Sequence, residues 1–410
     1  MRLARYLVLA GAVGWLPAPA PAWAEDLVLG MSAAFKGPSG ALGSELYRGA
    51  MAYFGDVNRS GGVHGRPIVI KAYDDGYNPG PAIENTVRLV EKDKVFLLFG
   101  YVGTPTVTRT LPLLKRYDDR SVLLFFPYTG AEPQRQPPYG DKVFNLRASY
   151  SQETAGLVDN FVKIGRKKIA VFYQIDAYGR SGWEGVRNAL TRHGLPMTGE
   201  ATYRRGTTYA DSLGQQVDIL RKSGCDAVIS VGAYAACAAF VRDARDAGWD
   251  VPIANVSFVG SESLLALLLE SGKAHNKDYT LNLINSQVVP SYHDTTIPAV
   301  RQYRELMERY NPISPAAPRE ESFRPLPYSF ASFEGFLDAK LLVEILRKME
   351  PPLAPQRIRK VVESFDNVDL GIGVPITFGP AKHQGLDQVY YTVVSEGRFV
   401  TVTNWERWRP

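Results

Sequence analysis

The chain has 410 residues, 45% of them hydrophobic and 22% charged, with a formal net charge of +5 at pH 7. That length exceeds what one hydrophobic core usually serves, so two lobes are expected, and the charge is too mild to imply a nucleic-acid partner.

The N-terminus reads Met1-Arg2-Leu3-Ala4-Arg5, then an apolar run from Tyr6 to Leu16, then Ala22-Trp23-Ala24 before the acidic pair Glu25-Asp26. Basic, apolar and small-x-small segments in that order predict a secretory signal over residues 1–24, cleaved after Ala24. A membrane anchor needs about 20 apolar residues, and Pro17, Pro19 and Pro21 interrupt this run too early. The mature protein is therefore expected to be soluble outside the cytoplasm, without a lipid anchor, since no cysteine lies near the cut.

Leu27 to Met31 predicts a first strand, followed by a loop from Ala33 to Gly40 and a helix from Ser44 to Asn58 with Leu46, Ala50, Phe54 and Val57 at helical spacing. Ile68 to Tyr73 is the next strand, and the polar loop Asp74 to Pro81 leads to a helix with Ile83, Val87 and Val90 on one face. The stretch that organises the chain follows. Val95 to Phe99 is five apolar residues in a row, as suits a strand buried on both faces, and Gly100-Tyr101-Val102-Gly103-Thr104-Pro105 reads as a tight turn into a helix. In open α/β sheets such a carboxyl-end turn, with free N–H groups at a helix N-terminus, favours an anion. Tyr101 to Thr104 is thus read as one jaw of a small-molecule cleft. A strand at 121–126 leads to another such loop, Pro127-Tyr128-Thr129-Gly130-Ala131.

Strands near 168–174, 197–203, 226–231, 251–258 and 279–288 then alternate with helices near 151–164, 179–192, 209–223, 235–247 and 261–271. This alternation predicts βαβ units and a second parallel sheet. Asp226 to Tyr234 repeats the strand-then-Gly pattern and supplies the facing jaw. Helices at 301–310, 330–349 and 356–365 follow, and strands at 389–394 and 399–403 predict a terminal hairpin.

Reactive motifs are missing from the sequence. It contains no Gly-x-Ser-x-Gly elbow, no phosphate loop and no Gly-x-Gly-x-x-Gly turn. The five histidines are scattered, with none at metal-ligand spacing from another. Asp74 and Asp75 could pair as acid and base, but a solvated turn explains them more simply. No catalytic residue, metal or cofactor is expected. Cys225 and Cys237 flank a strand of about six residues at ~3.3 Å each, while a disulfide needs Cα atoms within about 7 Å, so two buried thiols are expected.

The residues resemble a known family, the type I periplasmic solute-binding proteins of ABC importers, in the branch that includes branched-chain amino acid receptors. The markers are Ser39-Gly40-Ala-Leu-Gly43, Arg48-Gly49-Ala50, Asn58-Arg-Ser-Gly-Gly62, Tyr73-Asp-Asp75, Ala177-Tyr178-Gly179-Arg180 and Asp246-Ala-Gly248, in order from about Leu27 to Thr403. The resemblance implies an α/β fold of two doubly wound parallel-sheet lobes joined by three hinge crossings. Mapped here, lobe one is 26–147 plus 290–380, and lobe two is 148–289 plus 381–410. It also implies a monomeric receptor whose partners are a small ligand, an amino acid or a related carboxylate or amide, and an inner-membrane ABC permease.

By position, the resemblance implies that Thr104 binds a ligand carboxylate and that Tyr128, Thr129 and Gly130 hold its head group. The family's Pro-x-x-Thr reads Pro127-Tyr128-Thr129-Gly130 here, which moves the hydroxyl by one position. The resemblance likewise implies that Tyr178 and Tyr234 close over the ligand and that Glu262 meets an α-ammonium. Plainer readings stand beside these. Thr104 can cap its helix, Glu262 can answer its own helix dipole, and the tyrosines can be ordinary half-buried residues. Two other functions remain open: a ligand sensor feeding a membrane signalling receptor, and a secreted α/β hydrolase, which the missing elbow disfavours.

Overall fold

A computed structural model describes residues 25–315 and 324–410, so the signal expected over 1–24 lies outside the described residues. In chain order the first lobe builds β1 (Leu27–Ala33), α1 (Gly40–Arg59), β2 (Ile68–Asp74), α2 (Pro79–Glu91), β3 (Leu97–Phe99), α3 (Thr104–Arg116), β4 (Leu124–Phe125) and β5 (Val143–Phe144). The second builds α4 (Tyr150–Lys163), β6 (Ile169–Gln174), α5 (Ala177–Arg192), β7 (Gly199–Tyr203), α6 (Gly214–Lys222), β8 (Ala227–Val231), α7 (Tyr234–Asp246), β9 (Ile253–Asn255), α8 (Ser261–His275) and β10 (Leu283–Gln287). The chain then runs through α9 (Pro298–Tyr310), α10 (Phe330–Lys348), α11 (Pro355–Val362), β11 (Val368–Asp369), β12 (Pro375–Ile376), β13 (Tyr390–Ser395) and β14 (Arg398–Thr401).

The first sheet has the order β2-β1-β3-β4-β5 and is parallel throughout. Its core strands are buried because helices cover both faces, which is why Val95 to Phe99 reads as a continuous apolar run. Only Leu97–Phe99 pair as strand, shorter than the run. The second sheet has the order β14-β13-β10-β9-β8-β6-β7, with the expected hairpin added antiparallel at its edge.

Topology fixes where the loops meet. In the first sheet β1 has β2 on one side and β3 on the other. In the second, β6 has β7 on one side and β8 on the other. Crossovers leave in opposite directions at these points, which opens a crevice at the strands' carboxyl ends. Those ends carry Thr104 in the first lobe, and Tyr178 and Tyr234 in the second.

Three crossings join the lobes. The first (145–147) and third (383–386) lie side by side: Asn145 N donates to His383 O at 2.8 Å, Gly385 N to Asn145 O at 2.9 Å, and Leu386 N to Leu146 O at 2.8 Å. The second follows β10. Helix α10 packs on α1, and two glycines set how closely. A Cβ on Gly49 would lie 1.7 Å from Ser332 O, and one on Gly335 would lie 2.1 Å from Leu46 O.

Several family markers turn out to be fasteners. Arg48 pairs with Glu45 at 2.8 Å and donates to Pro312 O and Leu326 O, both at 2.7 Å. Asn58 makes two 2.7 Å hydrogen bonds to the backbone of Ile68. The turn at Asp75 differs from the solvated loop expected. Asp75 is buried, accepting from Ser32 Oγ and Tyr77 N at 2.8 Å each, and burial pushes its pKa up to about 7. Cys225 and Cys237 are free buried thiols, raised by that burial to about 11 and about 12. Among the described residues no helix is long and apolar enough to cross a membrane.

Candidate functional site

Thr104 opens α3, and Thr129 stands in the loop after β4. Their hydroxyls lie 2.7 Å apart, and both residues are buried. The first turn of α3 has N–H groups with no intrahelical partner, and Pro105 at its start costs no donor that the helix needs. Gly103 positions this end. Its φ of +102° suits glycine, and a Cβ there would lie 2.2 Å from Tyr77 Cε2. The Thr129 loop is held by Gln134 Nε2 and Arg135 Nη2, which donate to Thr129 O at 3.0 and 3.3 Å. At Gly130, the carbonyl accepts from Tyr150 N at 2.7 Å, and a Cβ would lie 2.6 Å from Tyr150 Cδ1.

Tyr150 opens α4 on the far side of the hinge and is fully buried, yet its hydroxyl makes no aligned hydrogen bond. Burial raises its pKa, against the pull of Arg147 and of the Thr129 and Thr104 hydroxyls beside it. Tyr178 packs between Tyr150 and Phe258, at ring separations of 5.1 and 4.7 Å, and donates to Gly232 O at 3.4 Å. Gly179 beside it could not be larger, since a Cβ would lie 1.8 Å from Gln174 O. Tyr128 crosses the cleft, donating to Ser257 O at 3.4 Å, with its ring 5.4 Å from Phe258 and 4.5 Å from the Arg147 guanidinium carbon. Tyr77, 5.9 Å from Phe258, completes the cluster.

Thr104, Tyr128, Thr129, Gly130 and Tyr178 are therefore brought together. Three other expected residues are placed elsewhere. Tyr101 points into the first lobe's interior, its hydroxyl 3.0 Å from that of Thr86 and its ring among Leu89, Leu98, Val107 and Leu111. Tyr234 lies at the cleft mouth, its hydroxyl accepting from Ala41 N at 3.5 Å. It lines a groove of about 410 Å³ with Phe35, Gly40, Ser263 and Leu267. Glu262, half-buried at the start of α8, reaches the other lobe: its carboxylate accepts from Phe330 N at 3.2 Å and from the Tyr292 hydroxyl. Burial raises its pKa to about 7.

Sequence reading missed Tyr77, Arg147, Tyr150 and Phe258. Phe258 ended a predicted strand, but nothing local marks Arg147 and Tyr150 as cleft residues. Behind the site, Arg147 sits in the first crossing, 3.8 Å from Glu153 and 3.6 Å from Glu334, and donates to Ser257 Oγ. Burial opposes its charge, but Glu334, Tyr128 and Glu153 outweigh that and hold its pKa above the usual value.

Two lobes, joined by three crossings and meeting over a buried hydroxyl pair and an aromatic cluster, define a bilobed solute-binding protein. The chain belongs to the periplasmic binding protein family, whose profile matches residues 27–398. A possible leucine/isoleucine/valine-binding protein from Rhodopirellula baltica has a similar structure, at a TM-score of 0.82 and 30% identity over 95% of this chain and 99% of that one. Leu/Ile/Val-binding protein homolog 7 of Brucella melitensis is 25% identical over 84% of this chain and 83% of its own length. An amino acid binding protein of Pseudomonas aeruginosa is 26% identical, but the match spans only 54% of this chain and 58% of that relative. The family is one of periplasmic receptors for solutes.

Proposed function

We propose that this protein is the extracytoplasmic receptor of an ABC importer. It captures a small carboxylate-bearing solute by lobe closure and presents the closed form to an inner-membrane permease. Its leader is removed after Ala24, and the mature chain works in the periplasm. The observation that carries this reading is the Thr104–Thr129 hydroxyl pair, buried at the N-terminus of α3 beside Tyr150, on whose ring Tyr178 packs. A carboxylate there meets two hydroxyl donors and the positive end of a helix. Thr104, Thr129 and Gly130 belong to the docking lobe, and Tyr178 and Tyr234 to the closing one. Closure must draw on contacts made only in the shut form, because equal affinity for both states shifts nothing.

A thermal-shift screen of the mature chain across amino acids, aromatic and aliphatic acids, amides and urea tests this. A carboxylate solute that raises Tm, bound as one equivalent by calorimetry and released unaltered, is the expected outcome. A chain stabilised by no small solute, or one that turns its ligand over, would overturn the assignment.

A further inference from the structure

The reading of the cleft as a carboxylate receptor leaves the rest of the ligand open, and an α-amino acid is the obvious candidate. An amino acid carries its ammonium one carbon from the carboxylate, so a carboxylate docked on Thr104 and Thr129 needs an acceptor for a cation close by. A buried ammonium without one is strongly disfavoured.

Four acidic groups around the cleft are already engaged. Glu262, the natural candidate, is turned to Phe330 N and Tyr292 across the lobe boundary. Asp176 accepts from Tyr178 N at 3.0 Å and Gln174 Nε2 at 2.6 Å, with Arg205 at 3.4 Å. Asp75 is held by Ser32 and Tyr77 N. Glu153 accepts from Ser257 N at 2.7 Å, Ser257 Oγ at 2.9 Å and Ser286 Oγ at 2.5 Å. Glu334 lies on α10 3.6 Å from Arg147, and Asp338, one turn further on, accepts no hydrogen bond and is held well above the usual carboxylate range by burial and by Glu334. The charged groups stacked on rings of the aromatic cluster are guanidiniums, Arg147 over Tyr128 and Arg205 over Tyr77.

The donors tell the same story. The Tyr150 hydroxyl, fully buried and without an aligned partner, stands beside the Thr104 and Thr129 hydroxyls at the N-terminus of α3. Three hydroxyls and a helix N-terminus can all serve a carboxylate, and the Tyr150 ring leads from them into the cluster of Tyr178, Phe258, Tyr128 and Tyr77. Flat apolar walls around a polar end suit an apolar acid.

Resting on that reading of the site, we infer that the ligand is a carboxylate with an apolar, preferably aromatic, body and no α-ammonium group. Glu262 acts as a latch between the lobes and does not contact the ligand.

Matched pairs that differ only in the amino group provide the test. Affinities of the mature protein are measured by calorimetry for 4-methylpentanoate against leucine and for 3-phenylpropanoate against phenylalanine. The deaminated acid is expected to bind at least ten-fold tighter in both pairs. Equal or tighter binding of either amino acid overturns the inference and leaves the receptor assignment standing. Binding of neither pair, with the bound solute of the wider screen carrying an ammonium or lacking a carboxylate, does the same. No binding of any solute overturns both. Glu262→Gln supplies an independent readout: a latch weakens every ligand by the same factor, whereas loss confined to the amino acids marks an ammonium contact and refutes the latch.

Discussion

Glu262 on the second lobe accepts a hydrogen bond of 3.2 Å from the backbone N–H of Phe330, the first residue of α10 on the other side of the cleft. A carboxyl at a helix N-terminus is favoured when ionised, yet burial raises this one to about 7, so it changes charge near neutrality.

That shift has a definite sign. Glu262 and Asp75 both have folded pKa values raised by burial to about 7, above ordinary values of 4.5 and 3.8. The folded state binds more protons than the unfolded one between those limits, so the stabilisation is complete below the unfolded pKa and lost as pH rises through about 7. Tm is expected to be higher at pH 5.5 than at pH 8, and Glu262→Gln with Asp75→Asn should flatten the profile. A double variant that keeps the full slope would show that other groups produce it.

Thr104→Val deletes one hydroxyl of the buried pair and leaves the other without its partner. A hydrogen bond to a charged group contributes about 1.5–3 kcal/mol, so affinity for a carboxylate ligand should fall roughly 10- to 100-fold, with a much smaller change in Tm. Calorimetry on the folded variant measures this, and unchanged affinity would move the carboxylate elsewhere.

Tyr150→Phe separates binding from packing. The ring contact with Tyr178 survives, and only a hydroxyl with no aligned partner is removed. The apo protein should melt at an unchanged or higher temperature while the ligand binds several-fold more weakly. Equal loss of stability in apo and bound forms would mark a purely structural hydroxyl.

Arg147→Met should be among the most damaging single changes at the hinge. It leaves Glu153 and Glu334 buried without their cation, and such breakage costs about 3–5 kcal/mol. Chemical denaturation gives the value, and Arg147→Met combined with Glu334→Gln should recover part of it.

Gly49→Ala probes the contact of α1 with α10. Its Cβ would lie 1.7 Å from Ser332 O, so the helices must separate, at about 1–3 kcal/mol for overpacking of this kind. A lowered Tm with ligand affinity retained per folded molecule is the outcome expected.

The sequence by itself determined the layered architecture and the loops of interest. Alternating apolar runs and helical periods specify βαβ units wherever they lie, and a strand ending in Gly-x-x-Gly-Thr-Pro announces a turn into a helix. Thr104, Thr129 and Tyr178 were legible for that reason, each sitting at a strand's carboxyl end. Only the tertiary structure decided what those ends face. Tyr101 and Val102 are neighbours in sequence, but successive side chains of an extended segment take opposite sides, and Tyr101 falls on the inner one. Glu262 met a partner 68 residues away on another lobe, and Tyr128 one 129 residues away. No local pattern encodes such pairings, because hydrogen bonding and burial depend on the distance in space that folding creates.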